Sequence, residues 1–419
     1  MAITVEQARE RVLKRCGPLE HERVPLLEAL GRVLAKDACS DIDIAPFDNS
    51  AMDGYAVRAA NVIGASSDAP ATLSVVSHIA AGEYSSVEVG EGQAARIMTG
   101  APMPPGADTV VMVEYTEPGA EDAEVGGTVL VKREPSAGEN VRRRGEEVKA
   151  GEVVVSAGEV VGPAGVGLLA SSGHDMALVY RRPRVAVLST GDELVDVTEA
   201  PGPGKIRNSN SYSLSAQVIA AGGLPYRYPV VRDDPDDTKK ALLKAAAETD
   251  YIIASGGVSM GEHDYVRPVL EEIGELDFFK VAMRPGNPQT MGAVDGVPFF
   301  GLPGNPSSTF VGFEVFVRPA LRLMQGHRLL FRPMSRAVLA HDVKKKPVRR
   351  YYLRGRVDLN EAGEISASLT GSQSSALLTA AHMGNCLLVL PEGEALFPAG
   401  SKVEVMRLDL DEGTPSPVT

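Results

Sequence analysis

The sequence predicts a multidomain chain that combines α/β and β architecture, and three observations carry that prediction. Its 419 residues exceed a single domain; at about 150 residues each, two to four domains are expected. Between residues 184 and 325, short apolar runs alternate with stretches of helical spacing, the pattern of βαβ units around a parallel sheet. On either side of that block the texture changes to short β-rich runs separated by Gly and Pro clusters. Apolar residues make up 44% of the chain and charged residues 23%, enough apolar surface to exclude disorder of the whole chain.

From the N-terminus, residues 4–17 are expected to be helical. Thr4 and Gln7 stand at capping-box spacing, and Val5, Ala8, Val12 and Leu13 share a face. A second helix is expected within 25–37. The runs 73–77, 94–98, 110–115 and 129–132 read as strands of a small β-rich region, with Met98 and Met112 in its core. RVAVLST at 184–190 is a continuous apolar run, as in a strand covered on both faces. Helical spacing follows at 211–221, then a strand at 225–231, a helix at 236–248, a strand at 250–255, a helix at 264–273 and a strand at 276–282. Ligands of such sheets bind outside the carboxyl ends of the strands. Residues 332–410 return to short β segments, a separate small barrel or sandwich, and DEGTPSPVT reads as a disordered tail.

Several function classes are disfavoured. No stretch approaches 18 consecutive apolar residues, so no membrane span is expected. The N-terminus lacks the apolar core of a signal peptide. Cys16, Cys39 and Cys386 are widely spaced and odd in number, giving neither a disulfide framework nor a zinc motif. A reducing, cytoplasmic location is the expectation. Forty-two basic residues against 55 acidic leave a net charge of −13, which argues against a general nucleic-acid binder. Basic residues still gather at 142–144, and at 344–346 with Arg349 and Arg350; the simpler reading of each cluster is a solvated surface run.

Chemistry concentrates in three strand-to-loop transitions of the α/β block. The first runs from Leu188 through Ser189, Thr190 and Gly191 to Asp192 and Glu193. The second takes Ser255, Gly256 and Gly257 into Glu262, His263 and Asp264. The third is GLPGNPSST at 301–309, entering a helix. Glycines let backbone N–H groups approach an anion, acids just beyond can hold Mg2+ between phosphates, and a helix N-terminus offers free donors. Any one of these loops alone reads as a tight turn; three at one end of a sheet point to a phosphate-bearing ligand. No Walker loop, HExxH or GxSxG occurs. His263 reads as incidental.

Six segments in order carry a family resemblance: PFDNSAMDGYAV at 46–57, RIMTGAPMPPGADTVVMVEY at 96–115, RRRGEE at 142–147, STGDEL at 189–194, SGGVSMGEHD at 255–264 and LPGNPSS at 302–308. Over about residues 5–408 the chain resembles the molybdopterin molybdenumtransferases of the MoeA type, whose animal relative is the C-terminal part of gephyrin. The resemblance implies a central doubly wound molybdopterin-binding α/β domain at 181–328. It implies an elongated N-terminal region at 1–180 with a β domain inserted at about 54–140, a small C-terminal β-barrel at 329–410 and a tail at 411–419.

The implied reaction takes adenylylated molybdopterin and molybdate, uses Mg2+ or a similar divalent ion, inserts molybdenum and releases AMP. The implied assembly is a homodimer whose active site combines the α/β domain of one subunit with N-terminal segments of the other. The upstream molybdopterin adenylyltransferase is a further implied partner; nucleic acid and membrane are not. By motif, Asp53, Thr99, Glu193 and Asp264 fall on catalytic positions, with Glu193, Glu262 and Asp264 toward the metal. Ser255, Gly256 and Gly257 fall on the substrate loop. The oxyanion pocket would comprise Arg284, Asn287, Ser308, Arg354 and Ser375. Two departures stand out. Glu147 replaces a usual Asp, and Arg284 and Asn287 stand where many members carry Lys, which removes one cation from the pocket. The competing readings are a scaffold of the same fold, and a tungstate-preferring or low-activity paralogue.

Overall fold

The structure is a computed structural model and describes residues 2–119, 123–257, 265–360 and 363–412. The chain divides into two compact units. The larger contains Met1–Arg23, Gly158–Val160 and Leu178–Thr419, and the smaller Val24–Ala157 and Val161–Ala177.

In the larger unit, a six-stranded sheet runs in the order Leu224–Arg227, Arg184–Ser189, Tyr251–Ser255, Val297–Leu302, Pro288–Val294, Gly274–Lys280. The first four strands are parallel. Alternate residues of the central strands explain the two-sided cover. Val185, Val187, Tyr251, Ile253 and Phe300 pack with Leu214 and Val218 of helix Ser209–Ala220 and with Phe313 and Phe316. Ala186, Leu188, Ile252, Ala254 and Phe299 pack with Leu242 and Ala245 of helix Pro235–Glu248 and with Val269 and Leu270 of helix Val266–Ile273. The sheet is therefore doubly wound, as expected from runs that are apolar at every position. The strand Pro288–Val294 is an addition to the expected elements. It pairs antiparallel with Val297–Leu302 through a turn in which Asp295 has φ 48 and Gly296 φ 80.

Helix Val5–Lys14 carries the expected capping box at Thr4 and Gln7, and buries Val5, Ala8 and Val12 against the sheet core. The C-terminal segment closes into a barrel. Strands Arg350–Leu359, Ile365–Leu369, Met334–Leu339, Lys402–Arg407 and Cys386–Leu390 pair in sequence, and the last pairs back onto the first. The barrel interior holds Leu353, Val357, Ala367, Leu388 and Val405. Met283–Arg284 adds in parallel to the first barrel strand, placing Arg284 opposite Tyr351.

The smaller unit is built on a six-stranded sheet in the order Thr109–Met112, Gly54–Val57, Gln93–Ile97, Ala71–Ile79, Thr128–Val131, Thr116–Pro118. Gly54 allows the close approach of strand Thr109–Met112: a side chain there would collide with the Val111 carbonyl. Met98 and Met112 are half-buried at strand ends rather than in the core. The helix expected within 25–37 is a single 3-10 turn, Leu26–Ala29. Leu27 and Leu30 are 82% and 51% exposed and Gly31 takes φ +76, so the apolar spacing there marks no buried helical face.

Candidate active site

The three predicted loops leave the sheet at one level. Ser189 pairs in register with Ser255, and Ser255 with Leu302, so each loop starts one residue beyond the same rung. A cavity of about 340 Å³ opens there, lined by Thr190, Glu193, Asn208, Asn210, Asp233, Ser255, Gly256, Gly257 and the 303–306 loop among others. Gly256 at φ +94 and Gly257 at φ +65 adopt the left-handed backbone, and a Cβ on Gly256 would stand 2.6 Å from the Thr190 carbonyl. Backbone can thus reach the ligand space where a side chain cannot. The Ser189 and Thr190 hydroxyls and Asn210 Oδ1 are buried without hydrogen-bond partners among the described residues. Buried polar atoms of this kind are expensive unless a ligand or water satisfies them. Asn210 also holds two loops together, its Nδ2 donating to Ser255 Oγ and to the Gly304 carbonyl, each at 2.7 Å.

A second cavity, about 700 Å³, shares Pro288, Pro303 and Asn305 with the first. Arg284, Asn287, Ser308, Arg354 and Ser375 all line it. Arg354 is 1% exposed. Its Nη2 donates to the Ser374 carbonyl at 3.0 Å, while its Nε has no partner among the described residues. Burial, and then the charge of Arg284, push its guanidinium down to about 10. At neutral pH it remains a cation, and among the described residues it has no counter-charge. Gln373 fixes it in place by accepting from the Arg354 N–H and donating to the Arg354 carbonyl, both at 2.9 Å. Arg284 rests over Tyr351, its guanidinium carbon 5.5 Å from the ring centre. Among the described residues, neither arginine has a carboxylate within ion-pair distance. The chemistry that fits two unpaired guanidinium groups beside serine hydroxyls is a multiply charged oxyanion.

Asp53 and Thr99 lie in the smaller unit, both exposed. The Thr99 N–H and hydroxyl donate to Asp53 Oδ1 at 2.7 and 2.8 Å, and these bonds hold the carboxyl below the usual aspartate range. In the same unit Asp48 accepts from Arg143 and from the Arg144 N–H, each at 2.7 Å. Glu262, His263 and Asp264 lie outside the described residues. Among the described residues no cluster of three or more His, Cys, Asp or Glu forms a metal site. The oxygen donors of the first cavity, with the Glu193 carboxylate at its edge, suit a hard cation such as Mg2+.

Thr190 belongs to the first predicted loop, whereas the motifs gave no sign of Asn208, Asn210 and Asp233 in the first cavity or of Lys344, Lys345, Lys346, Arg349, Tyr351 and Gln373 in the second. The one available signal was the 344–350 basic cluster, read as a solvated run; four of its members line the cavity.

Family comparisons agree with this geometry. "MoeA N-terminal region (domain I and II)" matches residues 3–173, "Probable molybdopterin binding domain" residues 186–323, and "MoeA C-terminal region (domain IV)" residues 336–408. The molybdopterin molybdenumtransferase of Staphylococcus aureus (strain COL) is 37% identical over 98% of this chain and 96% of its own. That of Bacillus subtilis (strain 168) is 36% identical over 99% and 96%. The crystal structure of the molybdopterin biosynthesis MoeA protein from Pyrococcus horikoshii OT3 superposes with a TM-score of 0.81 at 30% identity, covering 97% of this chain and 100% of that one. With the doubly wound sheet, the closed barrel and near full-length identity in agreement, the chain belongs to the molybdopterin molybdenumtransferase family.

Proposed function

We propose that this protein is an enzyme of molybdenum cofactor biosynthesis that inserts molybdenum from molybdate into adenylylated molybdopterin and releases AMP. The observation that carries the reading is the junction of the two cavities at Pro288, Pro303 and Asn305. One cavity suits a phosphate-bearing ligand and the other a dianion, so the reacting groups would be held side by side. Holding two reactants in one geometry removes much of the entropic barrier to their reaction. In this reading the 255–257 backbone and the 303–306 loop bind phosphate, while Arg284, Asn287, Ser308, Arg354 and Ser375 hold molybdate. Attack of a molybdate oxygen on the AMP phosphorus would form a P–O–Mo link as the phosphoanhydride P–O bond breaks and the molybdopterin phosphate leaves. The dithiolene sulfurs would then displace AMP from molybdenum, so no enzyme nucleophile is needed. Glu193, with Glu262 and Asp264, would hold Mg2+, which when bound withdraws charge from the phosphates.

A scaffold would gain nothing from Arg354, a buried cation with no counter-charge among the described residues, so the enzyme reading is favoured. The test is incubation with adenylylated molybdopterin, Mg2+ and either molybdate or tungstate, following AMP by chromatography. AMP formed only with oxyanion present supports the proposal; a folded protein that forms none overturns it. Preference for tungstate would reassign the metal and leave the reaction class standing.

We also propose a cytoplasmic homodimer, with Asp53 and Thr99 serving the partner's site. Their exposure and mutual hydrogen bonds support a preformed contact group. No helix among the described residues is long and apolar enough to cross a membrane. Mixing Asp53→Asn and Asp264→Asn proteins should restore part of the activity that each lacks. Mixed dimers that form and stay inactive would sink the shared site.

A further inference from the structure

We propose that Lys345, on the loop entering barrel strand Arg350–Leu359, supplies the oxyanion cavity with the cation that position 287 lacks. This rests on the reading that the cavity takes molybdate. Asn287 can donate an N–H but brings no charge, and a dianion between Arg284 and Arg354 gains from a third positive group.

Lys345 lines the same cavity as Arg284, Asn287 and Arg354. Unlike the exposed Lys344 and Lys346, it is 9% exposed, so its ammonium group is held rather than dispersed in water. Among the described residues its Nζ donates only to the carbonyls of Lys346 and Arg349, at 3.4 and 3.3 Å, longer than ordinary hydrogen bonds. Among the described residues no carboxylate pairs with it. An ammonium so weakly satisfied by the protein, at the wall of the cavity, has room in its shell for an anion. Burial accordingly pushes its pKa down, against weaker opposing contributions from Tyr351, Glu392 and Glu394.

The mounting is rigid. The Lys345 N–H donates to the Ala395 carbonyl at 2.9 Å, next to the paired segments Val343–Lys344 and Leu396–Phe397. Its Nζ stands 5.1 Å from the centre of the Tyr351 ring, the ring that also carries Arg284. Arg284 Nη1 and the Lys346 N–H both reach the Tyr351 hydroxyl, at 3.5 and 3.4 Å. One aromatic residue thus positions a cation from the α/β domain and a cation from the barrel.

The experiment is calorimetric titration of sodium molybdate into the full-length wild type, Lys345→Gln, Asn287→Lys and the double variant, with Arg354→Met as reference. Lys345→Gln should weaken binding about tenfold. Asn287→Lys should regain about tenfold in the Lys345→Gln background but at most about threefold in the wild type, because the two sites are coupled through one ligand. Equal gains in both backgrounds overturn the inference. So does a Lys345→Gln affinity within about twofold of wild type while Arg354→Met loses binding, since charge-assisted contacts would then lie elsewhere. If neither Lys345→Gln nor Arg354→Met alters binding, the cavity does not take molybdate and the parent reading fails. Should Lys345→Gln not fold, by circular dichroism, Asn287→Lys alone decides: a gain of at most about threefold supports a site already supplied with its third cation, and a larger gain contradicts it.

Discussion

The glycine-rich cavity and the cationic cavity share Pro288, Pro303 and Asn305, yet they are assembled from different material. The first is made largely of backbone and short side chains at the ends of three adjacent parallel strands, locked in one register. The second gathers long cationic side chains from the 283–288 segment and the 342–354 barrel entry, and adds the neutral Gln373 and Ser375 from the 373–375 loop. Fold topology alone creates the first. The second exists only because the barrel packs on the α/β domain, with Arg284 paired opposite Tyr351. A site of the first kind should be sensitive to backbone changes, and one of the second kind to charge.

The largest expected effect tests the charged side of that contrast. Arg354→Met keeps most of the buried volume and removes the cation. Molybdate binding, measured by calorimetry, should weaken about a hundredfold, about 2.7 kcal/mol. A loss under about threefold would mean that charge does not govern this cavity. Next, Gly256→Ala forces a side chain onto a φ of +94 against the Thr190 carbonyl. The strain is about 1–3 kcal/mol. Fluorescence titration should show adenylylated molybdopterin binding reduced at least about tenfold, with molybdate binding unchanged. Equal loss of both ligands would erase the distinction between the cavities. Asp264→Asn should lower Mg2+-dependent AMP release about tenfold, about 1.4 kcal/mol of transition-state stabilisation, in a natively folded protein. Near-normal turnover would remove Asp264 from the metal site.

The same contrast explains what the sequence makes legible. Local rules act over a few residues, so the Thr4 capping box can be seen in the string, while the structure adds a cap of the same local kind at Asp234 of helix Pro235–Glu248. Strands Arg184–Ser189 and Tyr251–Ser255 announce themselves because burial on both faces demands unbroken apolar runs. The strand Pro288–Val294 left a usable signal that went unread, the Asp295-Gly296 dipeptide whose positive φ values make the hairpin turn. Residues 25–37 misled because Leu27 and Leu30 are apolar but exposed. Lys345 could not be distinguished from Lys344 and Lys346 in a run of three. Its burial is set by Phe397 and Tyr351, residues whose proximity is a tertiary fact. Asn210 is likewise silent in sequence, since its role is to join Ser255 to Gly304 across two loops.

Crystals soaked in tungstate, read by anomalous scattering, test the central claim most directly. One strong peak is expected within hydrogen-bond reach of Arg354 and Ser308, on the side of the cavity that faces the Pro303–Asn305 wall. A peak confined to the exposed lysines, or lodged instead in the glycine-rich cavity, would contradict it.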